Sequence, residues 1–356
     1  MRALVYDPYV DTMGGGERYV LTFSLALIKA GYDVTLAWND DLVIAEAARR
    51  FNLDISSIKI DPQAYQDLSL SAGLLARYSR THDYDLVFWV SDGSLPYLFG
   101  KKNYLHLQVP FKKIGGNPIN NLLKTLQINR FIFNSNFTAK IIKKQLPFCS
   151  STILYPPIDV TSFSPGKKEN IILSVARFDS PSHAKRQDVL IEVFRRFCQQ
   201  QKDYRLILTG AVKGEGGSDY LSSLQKVAGN LPIDIVPNPS FSELKKLYTK
   251  AKFFWHAAGY GIDETVEPEK VEHFGITTVE AMTSGAVPIV IDRGGQREII
   301  NSDTGCLCNS IEEVASTTLS LINSPEKLKI MSGKAIEKSK CFSVKVFEEK
   351  VHAIIF

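Results

Sequence analysis

Two glutamates, Glu272 and Glu280, are the residues of this chain whose types and spacing point most directly to chemistry. Seven residues separate them, and Gly275 lies in that interval, where a helix is predicted to begin. The N–H groups at a helix start attract phosphate, whereas an ionised carboxylate accepts hydrogen bonds from hydroxyl groups such as those of a sugar. The segment therefore predicts a site for a nucleotide-sugar.

Glu280 also has a purely structural interpretation. Thr277 and Glu280 fit the spacing of a capping box, in which the glutamate accepts only backbone N–H groups at a helix start. From this pattern alone, ligand binding and capping remain equally open for Glu280.

Two cations could neutralise a diphosphate. Arg177 ends a predicted strand, and Lys185 follows the polar loop DSPSHA just before a predicted helix. A guanidinium and an ammonium together suit a diphosphate. Arg186 is adjacent to Lys185, so the sequence leaves the choice between them open, and solvated surface cations are the structural alternative.

Two glycine turns follow predicted strands. Gly15 and Gly16 belong to TMGGGER, between the first strand and the first helix, and glycine lets a backbone approach a ligand closely. A tight connection is the plain alternative, and a nicotinamide-type fingerprint lacks its third glycine at the required spacing. Gly294 and Gly295 are expected either to close the pocket around the nucleotide or only to join a strand to a helix.

Three histidines and one acidic pair are weaker candidates. His106 ends a predicted strand in YLHLQVP, where a lone histidine is more often structural. His273, beside Glu272, and His256, in FWHAAGYG, could both face a ligand. Asp40 and Asp41 form an acidic pair of the kind found in metal sites, but acids are favoured at a helix start anyway.

Composition excludes several classes of protein. The 356 residues exceed one typical core, and 44% hydrophobic with 22% charged residues are ordinary for a globular protein. A net charge of +4 does not indicate a nucleic-acid binder. Five scattered cysteines favour reduced thiols, and neither a signal peptide nor a membrane-spanning run is evident, so a cytoplasmic location is expected.

Alternating strand and helix patterns predict an α/β fold with parallel sheets. Strands are expected in RALVY, YDVTLAW, DYDLVFWVSD, KKNYLHLQVP, RFIFNSN, ENIILSVARF, YRLILTG, FFWHAA and VPIVID. Helices are expected in ERYVLTFSLALIKAG, NNLLKTLQ, KRQDVLIEVFRRFCQQ and FSELKKLYTKAK, the last capped by Ser242. The proline-rich YPPIDVTSFSPGKKEN is the linker candidate and predicts domains over 1–156 and 157–340. The amphipathic end, 341–356, is expected to pack back on the N-terminal domain.

These motifs together resemble the retaining nucleotide-sugar glycosyltransferases of family 4. The resemblance rests on GGGER, NSNFT, YPPID, SVARF with KRQDVLIEVF, and EHFGITTVEAM, and it spans nearly the whole chain. YLHLQVP and EHFGITTVEAM are most similar to the branch of dolichol-linked oligosaccharide mannosyltransferases and their bacterial relatives. The resemblance implies a GT-B fold, in which two Rossmann-like domains face a central cleft.

The resemblance also implies roles for single residues. Glu280 would bind the donor ribose and Glu272 the sugar ring, Arg177 and Lys185 would stabilise the leaving diphosphate, and His106 would contact the transferred sugar. The implied donor-binding set is Gly15, Gly16, Arg177, Lys185, His273, Phe274, Gly275, Ile276, Thr277 and Glu280, and the implied catalytic set is His106, Arg177, Lys185 and Glu272. No metal and no cofactor is implied, because the nucleotide-sugar is itself a substrate.

The expected activity is transfer of a hexose, with mannose from GDP-mannose preferred, to a glycan or lipid-linked acceptor. UDP-glucose and UDP-N-acetylglucosamine are alternative donors. A non-catalytic nucleotide-sugar binding module is the alternative of another class, and a phosphorylase-like enzyme lacks a recognisable motif for a pyridoxal-phosphate lysine. Backbone groups around 236–240 are expected to contact the base.

Peripheral contact with an anionic membrane is a further expectation. Apolar residues at helical spacing lie among many lysines of the N-terminal half, which would suit docking on anionic lipid. An ordinary solvated face with its apolar stripe in the core is the equally weighted alternative. The apolar residues are Ile119, Leu122, Leu123 and Leu126, and the cations are Lys101, Lys102, Lys112, Lys113, Lys124, Arg130, Lys140, Lys143 and Lys144.

Overall fold

The protein is described from a computed structural model that covers residues 1–12, 14–69, 73–147, 149–179 and 185–356. The chain divides into two compact units. The first contains Met1–Pro157 together with Val344–Phe356, and the second contains Ile158–Ser343.

The first unit is built on a parallel sheet that has seven strands within the described residues. The order across the sheet is β3-β2-β1-β4-β5-β6-β7, so β1 lies between β2 and β4. Apolar runs such as LVFWV are buried on both faces, as a parallel sheet covered by helices requires. The strands are Arg2–Tyr6 (β1), Asp33–Ala37 (β2), Lys59–Ile60 (β3), Leu86–Val90 (β4), Lys102–Leu107 (β5), Arg130–Phe133 (β6) and Ser151–Ile153 (β7).

Helices connect these strands. The first begins within the glycine turn and ends before Gly31, whose φ of 87° is in the left-handed region that glycine tolerates. The short helices α2, α3, α4 and α6 were not expected from the sequence, because their apolar stripes are brief. The helices are Gly15–Lys29 (α1), Asp41–Phe51 (α2), Pro62–Leu68 (α3), Leu74–Thr81 (α4), Pro118–Gln127 (α5) and Asn136–Lys143 (α6).

The second unit repeats the design with a six-stranded parallel sheet in its described part. The order is β10-β9-β8-β11-β12-β13, so the first strand of the unit is again central. In such doubly wound sheets the chain reverses its direction of winding beside the first strand, and ligands bind outside the carboxyl ends there. The strands are Glu169–Val175 (β8), Arg205–Gly210 (β9), Ile233–Pro237 (β10), Ala251–His256 (β11), Val287–Ile291 (β12) and Cys306–Cys308 (β13).

One helix start in this unit differs from the expectation. Ser240, not Ser242, caps the helix in FSELKKLYTKAK, because its hydroxyl accepts the N–H of Glu243 at 3.2 Å while the Glu243 carboxylate accepts the N–H of Ser240 at 2.8 Å. The helices are Gln187–Phe197 (α7), Gly214–Ala228 (α8), Phe241–Lys250 (α9), Ile276–Thr283 (α10), Gln296–Ile299 (α11), Ile311–Ile322 (α12) and Pro325–Ser339 (α13).

The last helix, Val344–Ile355 (α14), lies with the first unit. Phe347 is buried and meets the ring of Tyr19 on α1 edge-on, with ring centroids 5.0 Å apart. The Tyr104 hydroxyl donates to the carbonyl of Ile354 at 3.0 Å. The C-terminal residues are therefore part of the core that covers one face of the first sheet.

The two Rossmann-like sheets confirm the predicted α/β fold class. Of the described helices, none combines the length and the apolar character that crossing a membrane requires.

Candidate active site

The candidate site lies at the carboxyl edge of the second sheet, where β8 and β11 are neighbours. Arg177 follows β8 and is exposed, and its carbonyl accepts a hydrogen bond from the Gln187 side chain at 3.0 Å. His256 is the last residue of β11. Because the winding reverses between these two strands, a ligand can enter beside both residues.

Glu272 is the centre of the site. Its Oε2 lies 3.2 Å from Nζ of Lys185 and 3.2 Å from Nε2 of His256. Burial disfavours the carboxylate, but the charge of Lys185 and the hydrogen bond from His256 outweigh burial and hold the pKa of Glu272 well below its usual range. Glu272 is therefore an ionised, nearly buried carboxylate.

His256 holds the Glu272 carboxylate by a hydrogen bond. Its side chain is 3% exposed, and its Nδ1 accepts the backbone N–H of Ala258 at 3.4 Å. An Nδ1 that accepts a hydrogen bond carries no proton, so Nε2–H donates to Glu272. This hydrogen bond orients the carboxylate, and the ligand contact for which His256 was a candidate stays a prediction.

The choice between Lys185 and Arg186 is decided by where each side chain points. Lys185 contacts Glu272, whereas the Arg186 guanidinium contacts Asp188 at 3.2 Å and donates to the Tyr260 carbonyl at 2.8 Å. Of these two adjacent cations, Lys185 is the one that contacts Glu272, and its contact with a diphosphate stays a prediction. Residues 180–184, which form most of the predicted polar loop, lie outside the described part of the chain.

The start of α10 adjoins Glu272. Gly275 caps this helix with a φ of 114°, a backbone conformation that favours glycine, and a Cβ there would crowd the Gln296 side chain at 3.1 Å. Phe274 is buried against the Phe342 ring. Ile276 and Thr277 are half-buried, and their N–H groups precede the first intrahelical hydrogen bonds. This arrangement has the geometry of an anion site.

The capping-box interpretation of Glu280 is wrong. The cap of α10 is Gly275, so Glu280 lies well inside the helix rather than in its first turn. Its side chain is buried, and its Oε2 accepts the hydroxyl hydrogen of Tyr248 at 2.9 Å. Contact with the donor ribose stays a prediction for this residue.

His273 and the second glycine turn frame the same loop. The Nε2 of His273 lies 3.0 Å from the Glu269 carbonyl oxygen. The Gly295 N–H donates to the Glu272 carbonyl at 2.8 Å, and a Cβ on Gly294 would lie 2.1 Å from that oxygen. Gly295 therefore holds the Glu272 backbone and Gly294 leaves room for its carbonyl oxygen, while closure of the pocket around the nucleotide stays a prediction.

Gly15 and Gly16 lie in the first unit, at the start of α1. A Cβ on Gly16 would fall 2.3 Å from Oε1 of Gln108, so no larger residue fits without moving that side chain. The Glu17 carboxylate accepts the N–H of Gly14 at 2.5 Å, which closes the turn onto the helix. These contacts explain the glycines locally, and a donor contact for them stays a prediction.

His106 is in the core of the first unit. Its side chain has no exposed surface, its ring stacks on Tyr19 with centroids 4.2 Å apart, and its Nδ1–H donates to the Ile132 carbonyl at 3.1 Å. Burial lowers the pKa of His106 to about 3, so the imidazole is neutral at neutral pH. The structure holds His106 by core contacts, and the sugar contact implied by resemblance stays a prediction.

Sequence reasoning missed three polar residues near strand or helix ends. Tyr248 binds Glu280, and Gln296 lies against His256 and Thr278 in the core. Asp7, directly after β1, is fully buried, and burial followed by the charge of Glu17 raises its pKa to about 8. Of these three residues, only Asp7 could have been found from the sequence, because it directly follows a predicted strand.

Among the described residues, no group of three or more His, Cys, Asp or Glu side chains is arranged to hold a metal ion. The Asp40 carboxylate instead accepts the Leu42 N–H at 2.8 Å, as a cap of α2.

Comparison with known proteins identifies the family. The sequence model described as "Glycosyl transferases group 1" matches residues 159–338, and the model described as "Glycosyltransferase Family 4" matches residues 13–162. The chain belongs to the glycosyl transferases of group 1. The N-terminal match agrees with the resemblance that the motifs carried.

Relatives and solved structures add detail to this glycosyltransferase. The GDP-Man:Man(3)GlcNAc(2)-PP-Dol alpha-1,2-mannosyltransferase of Dictyostelium discoideum is 27% identical over 235 residues, which are 61% of this chain and 44% of the relative. Human alpha-1,3/1,6-mannosyltransferase ALG2 is 25% identical over 63% of this chain and 57% of its own length. The chain thus spans about half the length of the curated relatives it matches.

Two crystal structures share the fold. A glycosyltransferase from Rickettsia africae superposes with a TM-score of 0.77 at 16% identity over 99% of this chain and 97% of its own. Anabaena HepE, solved with UDP and glucose, gives a TM-score of 0.71 at 16% identity over 99% of both chains. The fold of the chain is that of the GT-B glycosyltransferases.

The paired state of Glu272 predicts a pH-dependent stability. Because the folded pKa is depressed, the pairing stabilises the protein fully above the ordinary glutamate pKa of about 4.5 and is lost as the pH falls toward the folded pKa. Glu272→Gln is expected to lower the free energy of unfolding by about 2 kcal/mol at pH 7. The difference from wild type should shrink below pH 4.5, measured by urea unfolding at pH 7, 5 and 3.5.

Glu267→Gln is the matched control, because its exposed carboxylate pairs only with Lys270 among the contacts found in the described residues. A loss for Glu272→Gln that is equally large at pH 7 and pH 3.5 would contradict the pairing.

Proposed function

We propose that this chain is a retaining glycosyltransferase that moves a hexose from a nucleotide-sugar to a glycan or lipid-linked acceptor. Mannose from GDP-mannose is the preferred donor, and UDP-glucose or UDP-N-acetylglucosamine are the alternatives. The observation that carries the proposal is Glu272, held ionised by Lys185 and His256 beside the start of α10. A carboxylate for sugar hydroxyls and an anion site for phosphate lie side by side in one unit.

The diphosphate is proposed to bind where positive charge converges. The N–H groups of Ile276 and Thr277 offer the partial charge of a helix start. The Lys185 ammonium contacts Glu272, which precedes this helix in the chain. Arg177 has no ion pair among the described residues, so its guanidinium is available to a ligand. The proposal needs no metal ion for this charge.

The proposed reaction is displacement on one face of the sugar. The bond between the anomeric carbon and the diphosphate oxygen breaks, and its electron pair leaves with the diphosphate. The acceptor oxygen bonds to the anomeric carbon on the same face, and its proton passes to the departing diphosphate oxygen. Glu272 is not the nucleophile in this scheme, because its carboxylate is assigned to the sugar hydroxyls. Electrostatic stabilisation of the leaving group is then the main contribution of the protein.

The preference for GDP-mannose rests on the relatives. The names of the mannosyltransferases from Dictyostelium discoideum and Xenopus laevis specify GDP-Man, whereas HepE was solved with UDP. The base is proposed to lie against the backbone of 236–240. In that segment the Asn238 side chain already accepts the Val212 N–H at 2.9 Å, and the contacts proposed for the base are those of backbone groups. Such groups carry little information about the identity of the base.

Activity is tested with a panel of GDP- and UDP-sugars, by measuring release of nucleoside diphosphate. Glu280→Ala is expected to lower kcat/KM about 10- to 200-fold, because a charge-assisted hydrogen bond contributes about 1.5–3 kcal/mol. Glu337→Ala, an exposed glutamate on α13, is the control. Rates are compared per folded molecule, because Glu280→Ala also removes the bond from Tyr248.

Each outcome of this panel has a consequence. Release from no donor would favour the binding module, and unchanged turnover of Glu280→Ala would exclude Glu280 from the donor site.

The acceptor is proposed to be reached at an anionic lipid surface. On α5, Ile119 is 72% exposed, Leu122 53%, Leu123 50% and Leu126 77%, so the alternative of an apolar stripe in the core is wrong for these four residues. Lys112 and Lys113 are exposed just before this helix. An exposed apolar face beside cations suits the boundary between lipid headgroups and acyl chains.

A second helix extends the apolar surface. On α4, Leu74, Leu75 and Tyr78 are each at least half exposed. Burial and the charge of Arg77 on α4 both lower the pKa of Lys124 on α5. We include the exposed apolar residues of α4 in the proposed docking face.

Co-sedimentation with vesicles of phosphatidylglycerol and phosphatidylcholine tests this face. The wild type is expected to bind at low salt and less at physiological salt. Leu122→Gln combined with Leu126→Gln should weaken binding about tenfold or more, since burial of each leucine contributes about 1.5–3 kcal/mol. Leu42→Gln, which changes an 81% exposed leucine on α2, should bind like wild type. No binding of wild type at low salt would reject the lipid surface and leave the transferase proposal intact.

A further inference from the structure

The connection between β11 and α10 is unusually long for its position. It runs from 257 to 275 and contains only a short 3-10 helix, Pro268–Lys270, whereas the next strand-to-helix connection runs only from 292 to 295. Connections of this type usually contain about two to six residues. The connection therefore contains more residues than are needed to join β11 to α10.

The first part of this connection is tied to the residue after Lys185. Arg186 donates to the Tyr260 carbonyl at 2.8 Å, and its guanidinium lies over the Tyr260 ring at 5.8 Å from the centroid. Arg186 has a left-handed backbone with a φ of 59°, an uncommon conformation for a residue with a side chain. The contact with Tyr260 fixes the peptide from which Lys185 projects.

The same segment is tied at its other end to the turn that supports Glu272. The Glu264 carboxylate accepts the Gly294 N–H at 2.8 Å and pairs with Arg297 at 2.5 Å. Gly295 in turn donates to the Glu272 carbonyl. Glu264 thus connects to Glu272 through one turn of backbone.

A third contact lies between these two. The Arg293 Nε donates to the Ile262 carbonyl at 3.2 Å, and Gly259, with a φ of 86°, leaves room for the Arg293 and Val271 side chains. Residues 259–264, which we call the brace, therefore contact the supports of both Lys185 and Glu272.

We propose that the brace sets the distance between Lys185 and Glu272, and that Glu264 and Arg186 are positioning residues of the site. Neither is proposed to touch the donor. A carboxylate and an ammonium that must serve one ligand need a fixed separation, because errors of about 1 Å in a reacting geometry can cost 100-fold in rate. The expected effect of the brace on turnover rests on the proposed function. Its expected effect on the position of Glu272 does not.

The structural effect is tested by NMR of the His256 imidazole. Its Nε2–H bonds to Glu272, so its nitrogen and proton shifts report the position of that carboxylate without any substrate. Glu264→Ala is expected to move the His256 signals. Glu267→Ala, which changes an exposed glutamate on the same connection but outside the brace, should leave them at the wild-type positions.

Kinetics supply the second readout. With a donor that the wild type uses, Glu264→Ala should lower kcat about 10- to 100-fold with a smaller change in KM. Glu264→Gln keeps an oxygen for the Gly294 N–H and should recover part of that loss. If Glu264→Ala does not fold, Glu264→Gln and Arg186→Lys are compared with wild type by the same two measurements.

The outcomes separate this inference from the proposed function. If the wild type releases no nucleoside diphosphate from any donor, the proposed function fails, and the His256 signals still decide whether the brace positions Glu272. Unchanged His256 signals in Glu264→Ala, or in Arg186→Lys if the alanine variant does not fold, would overturn the brace whatever the activity.

Discussion

The need to compensate one nearly buried negative charge organises the second unit. An ionised carboxylate is costly to remove from water unless a cation and hydrogen bonds replace its hydration. Lys185, in the connection after β8, and His256, at the end of β11, supply these to Glu272. The Gly295 N–H holds the backbone of the same residue, so side chain and main chain are fixed independently. Because this carboxylate has already lost most of its hydrating water, it can bind a hydroxyl group of a ligand without a further large cost of desolvation.

The sheet topology explains why these groups meet. Parallel strands bring all carboxyl ends to one edge, and the central position of β8 places β9 on one side and β11 on the other. Arg177 follows β8, and His256 is the last residue of the neighbouring strand β11. The long connection after β11 leads to the start of α10. The first unit repeats this plan, with buried Asp7 after its central strand and α1 beginning at the glycine turn.

Much of this was predictable, and the failures have physical causes. Continuous apolar runs such as LVFWV predict buried parallel strands, and the fold class followed from their alternation with helices. The cap at Ser240 was misassigned to Ser242 because two serines flank Phe241 and only the backbone geometry separates them.

The partnership of His256 with Glu272 was not predictable, since it spans a connection whose path depends on the brace. The exposure of α5 was left open because helical spacing is the same for a stripe that faces the core and one that faces solvent.

The most direct test of the central claim is the affinity for a nucleoside diphosphate, measured by titration calorimetry with GDP and UDP. Lys185→Ala is expected to raise the Kd of the diphosphate that the wild type binds by about 10- to 200-fold, since a hydrogen bond to a charged group contributes about 1.5–3 kcal/mol. Lys167→Ala, an exposed lysine just before β8, should bind like wild type. If Lys185→Ala binds both diphosphates as tightly as wild type, the paired cluster of Lys185, Glu272 and His256 is not the donor site.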